Sequence, residues 1–327
     1  MYPTRTNLSA CGQGSPRSRL SARLLPGAYR ALPCVVALGL ALSLSLLTAC
    51  IWQDPLPSNT DLRLVSTAPH LTECLCAIGA AHLLVGRTTA CDFPPESVRD
   101  IPVVGDFGTP WLEPVLSVHP THVLETVFSD PALRDRFDAL NIPVVHVPCT
   151  RLDQIPDAIR HLGTLCDCSA RADPLADHIQ RGIEQARQAA ASRRVRPRVL
   201  LLLAPDTPIT AGRDAFVAAL LEHAGGINIG DAIDADYSRI SPEWIIGQDP
   251  DLLLCLFTTT ARPADAYAGQ TGWRSLRAVR DGRVYTVPDL NSVSRPGPRV
   301  LEGIAQIKAI LDQDAAQFIT QTPVQHP

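Results

Sequence analysis

The stretch PWLEPVLSVHPTHVL (residues 110–124) returns, altered but in register, as SPEWIIGQDPDLLL (residues 241–254). Glu113 falls on Glu243, Pro120 on Pro250 and Leu124 on Leu254, and each phrase runs from a Glu to His-Pro or Asp-Pro and then into an apolar run. A phrase kept in register over this length predicts two similar lobes.

The segments around it carry the same pattern. LRLVSTAP (62–69) is a short apolar strand run, and HLTECLCAIGA (70–80) follows with helical spacing, a Thr-Glu start and Gly79 near its end. HLLVGRT, IPVVGDF, THVLETV and IPVVHVP have the β-branched character of strands buried on both faces of a parallel sheet. From Leu152 to Arg194 no strand signal appears, while LDQIPDAIRHLGTLC and DPLADHIQRGIEQARQAAASRR read as helices, the second a spine between lobes. The second lobe opens as the first does, with RVLLLLAP and then DAFVAALLEHAGG, and continues with DLLLCLF and RVYTVP. RPGPRVLEGIAQIKAIL is a closing helix with Pro298 near its start. The fold class expected is α/β: two Rossmann-like lobes with parallel-rich sheets joined by a single long α-helix.

Composition narrows the function. The chain has 327 residues, 46% apolar and 19% charged, which is globular, and its formal charge of −4 offers no basic field for nucleic acid. The basic segment RSRLSARLLPGAYRALP precedes the apolar run CVVALGLALSLSLL (34–47), which is shorter than the roughly 20 residues a membrane span needs. This is the pattern of a signal peptide. Leu47-Thr48-Ala49-Cys50 resembles a bacterial lipobox, which makes Cys50 the expected lipidation site, and IWQDPLPSNTD reads as a polar tether. The divisions expected are a leader at 1–49, lipidated Cys50 and tether at 50–60, a first lobe at 61–150, linker helices with the spine at 151–194, and a second lobe at 195–327. Beyond Cys50 stand seven cysteines, Cys74, Cys76, Cys91, Cys149, Cys166, Cys168 and Cys255, an odd number without Cys-x-x-Cys spacing. Their roles stay open among buried small residues, disulfides and, for one such as Cys91 at a strand end, a ligand contact.

Both repeated glutamates lie close behind a Pro, with Thr109 and Ser241 placed to cap their helices. Favourable alignment with a helix dipole accounts for a Glu at such a position, at about 0.3–1 kcal/mol. It does not account for matching carboxylates in matching lobes. The phrases VSTAPHLTECLCAIGA (65–80), ACDFPPE (90–96), VGDFGTPWLEPVLSVHPTHVL (104–124), SPEWIIGQDPDLLL and SRPGPRVLEGI (294–304) resemble the substrate-binding proteins of bacterial ABC importers. The resemblance is to the class with two lobes on one long helix, which includes binders of cobalamin, ferric siderophores and haem; CDFPPE and RPGPRVLEG stand nearest the cobalamin type. In that family a Glu on each lobe docks into arginine pockets of the two permease subunits, and those positions fall on Glu113 and Glu243. Two carboxylates a fixed distance apart suit two symmetric Arg clusters, giving register more than affinity.

The resemblance therefore implies an extracytoplasmic lipoprotein, anchored to a membrane and facing the periplasm or cell exterior. It delivers cobalamin or a related corrinoid, or alternatively a ferric siderophore or haem, to a permease dimer and its ATPase. A monomer is expected, with no cofactor of its own. In two-lobed α/β proteins the ligand lies over the carboxyl ends of the strands. There, Phe107 and Tyr237 match positions where the family places aromatic rings, and Asn291 and Arg295 match polar contacts. Thr126 and Ile209 stand where the cobalamin binders carry rings. Arg213 and Arg295 suit ligand oxyanions, and Asp92 and His70 complete the candidate contacts.

A different class, an exported metal-dependent hydrolase using His70, Cys91 and Asp92, is the competing reading. Against it, the sequence has no His-Glu-x-x-His, Gly-x-Ser-x-Gly or Gly-rich phosphate loop. The stiff spine predicts a small hinge movement on binding rather than wide closure.

Overall fold

The computed structural model describes residues 61–204, 208–257, 267 and 272–321. The expected leader, Cys50 and the tether lie outside the described residues.

Runs buried on both faces become the parallel strands of two sheets. The first sheet has the order Leu84–Arg87, Leu64–Ser66, His122–Glu125, Val144–His146, parallel throughout. The second repeats it as Ile227–Asn228, Arg198–Leu202, Leu252–Cys255, Val284–Thr286, again parallel. In each lobe the strand that follows the repeated phrase pairs with the lobe's opening strand, so the echo in sequence is an echo in topology. The second sheet is then extended by two antiparallel strands, Ile209–Ala211 and Tyr237–Arg239, in stretches that read as loops in the sequence.

Three local expectations are corrected. IPVVGDF supplies no full strand to the first sheet: Val103 makes one isolated bridge to Arg87, and Gly105–Asp106 pairs with Thr109–Pro110 in a short antiparallel ribbon. Thr109 belongs to that ribbon and caps nothing; the helix carrying Glu113 runs Leu112–Ser117 behind Trp111. Ser241 does cap its helix, Pro242–Gln248, accepting from the Trp244 amide at 3.2 Å. Finally, the first helix starts at Pro69, not at Thr72-Glu73, and runs to Ala77. Glu73 is therefore a mid-helix residue, and it is buried.

Between the sheets the chain forms the two expected linker helices. Ile155–Leu165 turns through Asp167 (φ +54°) into the 23-residue spine, Ser169–Ala191, about 35 Å long at 1.5 Å per residue. The closing helix, Val300–Gln321, packs against both the spine and the Phe216–Ala224 helix. No helix among the described residues is long and apolar enough to cross a membrane.

Alternation within the strands explains why the lobes form one body. Leu64 and Leu124 face a core shared with the linker residues Ile159, Leu162 and Ile179 and with Leu201, Leu254 and Ile307 of the second lobe. Their neighbours Val65 and Val123 face a separate cluster around Phe137, and Leu200 and Leu253 face another around Trp273. One continuous apolar core thus runs from lobe to lobe through the linker. The seven described cysteines are all free; six are buried, and they serve as small apolar residues.

Candidate functional site

A cavity of about 890 Å³ opens between the lobes, within the 300–1,000 Å³ range typical of small-molecule sites. The first lobe contributes loops that follow strand ends. Phe107 projects from the two-residue turn of the 105–110 ribbon, where Gly108 takes φ +67°, a conformation glycine adopts without strain. Phe107 is 53% exposed. Thr126 and Val127 follow the His122–Glu125 strand into the wall.

His70 enters the wall from the first turn of its helix, with its side chain buried. The Thr126 hydroxyl donates to the Val147 carbonyl at 3.1 Å, so it accepts from Nε2–H of His70 at 2.8 Å. That sets the tautomer and leaves Nδ1 unprotonated. Burial, with the nearby charge of Arg295, lowers the His70 pKa to about 4, so the ring is neutral at physiological pH.

The second lobe contributes Arg213, Phe216, Tyr237, Asn291 and Arg295. Tyr237 stands on the antiparallel strand and is 49% exposed; burial of its hydroxyl and the Asp236 carboxylate push the phenol up, keeping it protonated. Arg213 donates from Nε to the Asp231 carbonyl at 3.1 Å, and its remaining carboxylate neighbour, Asp234, is 3.9 Å away. Arg151, from the linker, also lines the cavity but is held by Asp153 through two bonds of 3.0 and 2.9 Å. Among the described residues, Arg213 is the least engaged arginine of the cleft.

Arg295 is placed otherwise than a surface loop arginine. Its Nη1 donates to Glu73 at 3.0 Å and to Asp92 at 2.7 Å, and its side chain is 11% exposed. Asp92 accordingly does not line the cavity; it faces Arg295 instead. Ile209 is also absent from the lining, whereas Thr126 is present. Sequence reasoning missed Val127, Arg151, Glu73 and Arg299. Only the mid-helix position of Glu73, among apolar neighbours, gave a local signal.

The hydrolase constellation does not assemble. Cys91 is buried beside Thr88 and the Ser66 carbonyl, Asp92 is bound by Arg295, and His70 is bound by Thr126. Among the described residues no three His, Cys, Asp or Glu side chains converge as a metal site. Glu113 and Glu243 are exposed, each in the first turn of its helix and away from the cavity.

A cleft between two equivalent Rossmann-like lobes, walled by aromatic rings and arginines, defines a solute-binding protein. The periplasmic binding protein family matches residues 64–290, and the chain belongs to that family. It is 29% identical over 263 residues to the uncharacterized ABC transporter substrate-binding lipoprotein YvrC of Bacillus subtilis (strain 168), covering 78% of this chain and 81% of that one. Among solved structures it resembles the apo periplasmic heme-binding protein RhuT from Roseiflexus sp. RS-1, at 26% identity and a TM-score of 0.69, covering 78% of this chain and 99% of RhuT. It shares its fold with the periplasmic vitamin B12 binding protein BtuF of Vibrio cholerae, at 22% identity and a TM-score of 0.65 over 80% and 99% of the two chains. The chain is thus a periplasmic binding protein by family, and the relative YvrC is named as a substrate-binding lipoprotein of an ABC transporter.

Proposed function

We propose that this protein captures a metal tetrapyrrole, haem in the first place, and hands it to an ABC permease. The observation that carries the reading is the cleft's pairing of one exposed ring from each lobe, Phe107 and Tyr237, with the loosely engaged Arg213 at its wall. Two rings suit the faces of a flat apolar macrocycle. A guanidinium without a committed carboxylate suits a ligand carboxylate such as a haem propionate, whereas the amide-rich rim of a corrinoid has no need of one. The likeness to a heme-binding protein supports the reading.

Cobalamin is the second reading. Asn291 and Arg295, which by resemblance fall on polar contact positions of the cobalamin binders, both line the cavity. Titration of the purified protein with ferric haem, cyanocobalamin and a ferric hydroxamate separates the ligands. Stoichiometric haem binding with a shifted Soret band supports the first reading; tight cyanocobalamin binding without haem binding replaces it with the second. Binding of the hydroxamate alone removes both.

Delivery is proposed to run through Glu113 and Glu243. The two occupy equivalent first-turn positions in equivalent lobes. Glu243's own backbone amide and the Ser241 hydroxyl hold its carboxyl below the usual range, so it is ionised and ready for an arginine. The same reading assigns lipidation to Cys50, a tether to residue 60, and lobes at 61–150 and 195–327 about the 151–194 linker. Mass spectrometry of the membrane-extracted protein tests the lipid: an acylated N-terminal Cys50 is expected, and an unmodified leader counts against it.

A further inference from the structure

The sequence Arg295-Pro296-Gly297-Pro298-Arg299 belongs to the second lobe by connectivity and contacts the first lobe repeatedly. Arg299 grips Glu73 through both carboxylate oxygens, Nε to Oε2 at 2.8 Å and Nη2 to Oε1 at 3.0 Å, and Arg295 adds a bond to Oε1 at 3.0 Å. The Pro296 carbonyl accepts from Cys149 Sγ at 2.9 Å. Gly297 runs so close to His70 that an added Cβ would lie 3.4 Å from the histidine's own. The Arg299 guanidinium also stacks over Phe93, 4.0 Å from the ring centre, and holds Asp289 of its own lobe at 2.6 Å. The segment is a strap from one lobe laid on the other, and Pro296 and Arg295 make it part of the cavity wall.

Stability does not require such a device. Replacing buried ion pairs with packed apolar residues is often neutral or stabilising, so what Glu73 adds is a fixed geometry. The geometry reaches the cavity through Arg295. Its Nη1 hydrogens are committed to Glu73 and Asp92, and among the described residues Nε–H and the Nη2 hydrogens have no hydrogen-bond partner. That Nε/Nη2 edge is the fork with which arginine holds a carboxylate.

We infer that Glu73 is the positioning residue of the ligand cleft: by holding Arg299 and Arg295 it pins the strap to the first lobe, sets the aperture between the lobes, and presents the free edge of Arg295 as an oxyanion receptor. The inference rests on the cleft being the ligand site, and its oxyanion part on the haem reading.

The experiment pairs Glu73→Gln with a control, Glu125→Gln. Glu125 is as deeply buried and is held by Arg134 and His146, but both partners belong to its own lobe. Interlobe distance is read by electron–electron double resonance between nitroxide-bearing noncanonical amino acids placed at positions 129 and 239 of the full chain, which leaves its free cysteines unlabelled, and release of bound ferric haem by stopped flow. Glu73→Gln is expected to broaden and shift the ligand-free distance distribution and to speed haem release about tenfold. Glu125→Gln is expected to lower the melting temperature while moving neither readout. Unchanged distance and release within twofold in Glu73→Gln would overturn the inference, as would an equal effect of both variants. Should Glu73→Gln not fold, Arg299→Lys, which keeps the charge but loses the two-oxygen grip, carries the same expectations. If the wild type binds no haem, the ligand reading fails and the distance measurement alone decides the strap.

Discussion

Nε2 of His70 lies 2.8 Å from Oγ1 of Thr126, and the threonine's own proton is committed to the Val147 carbonyl. The pair joins the first helix to the end of a neighbouring strand at the cavity wall. The resemblance to cobalamin binders marks Thr126 as the site of a missing ring, and the structure uses its hydroxyl to orient a neutral imidazole.

Stability should therefore depend on pH through His70. Its pKa falls from 6.5 to about 4 on folding, so the unfolded chain binds the extra proton between those values. The contribution is fully present above pH 6.5, is lost progressively as pH falls, and levels off near pH 4. The shift is worth at most roughly 3–4 kcal/mol. Denaturant melts from pH 7.5 to 4.5 should show His70→Gln with a visibly shallower loss than wild type; parallel curves would disprove the assignment.

Docking and capture should separate. Glu113→Gln and Glu243→Gln each leave a solvent-exposed helix turn intact, so stability should move by no more than about 0.5 kcal/mol. In vesicles carrying the permease and ATPase, each single variant should slow uptake several-fold and the double variant should abolish it, with ligand affinity unchanged within twofold by calorimetry. Loss of affinity instead would place these residues in the ligand site.

Arg213→Ala removes a charge-assisted contact of the kind worth roughly 1.5–3 kcal/mol. Haem should bind at least tenfold more weakly, while any cyanocobalamin binding stays within twofold. Equal weakening of both ligands would mean that the arginine shapes the cleft rather than reading a carboxylate.

The thiols should be quiet. Burial raises Cys74 well above its usual range, Cys149, Cys166 and Cys255 to about 12, and Cys76 to about 11. Since the thiolate is the reactive form, iodoacetamide at pH 8 should modify the half-buried Cys76 first and the others only after unfolding. Peptide mass mapping that finds Cys149 labelled as fast as Cys76 would show that the cavity admits the reagent to its wall.

The lobes and most strands were legible because their causes are local. A strand covered on both faces reads as a continuous apolar run, and Leu64–Ser66, Arg198–Leu202 and Leu252–Cys255 are such runs, buried throughout in the structure apart from Arg198 at one end. IPVVGDF misled because the same β-branched composition also suits a ribbon and an isolated bridge, and composition does not name a partner. Tyr237–Arg239 was missed for the converse reason: its polar residues form an outer strand only because Ile209–Ala211 lies beside it. In the cleft, Phe107, Tyr237, Asn291, Arg213, Arg295 and His70 were all legible as lining residues.

By itself, then, the sequence determined the two-lobed α/β plan, the linker helices and the repeated first-turn glutamates, all of which follow from periodicity and register along the chain. Tertiary structure decided which charges meet. Glu73 finds Arg295 and Arg299 at separations of 222 and 226 residues, and the basicity of His70 falls only because the fold buries it beside that arginine. A local pattern records which face of an element is buried, but not what will lie against it, because that is settled when distant segments pack into one shared core.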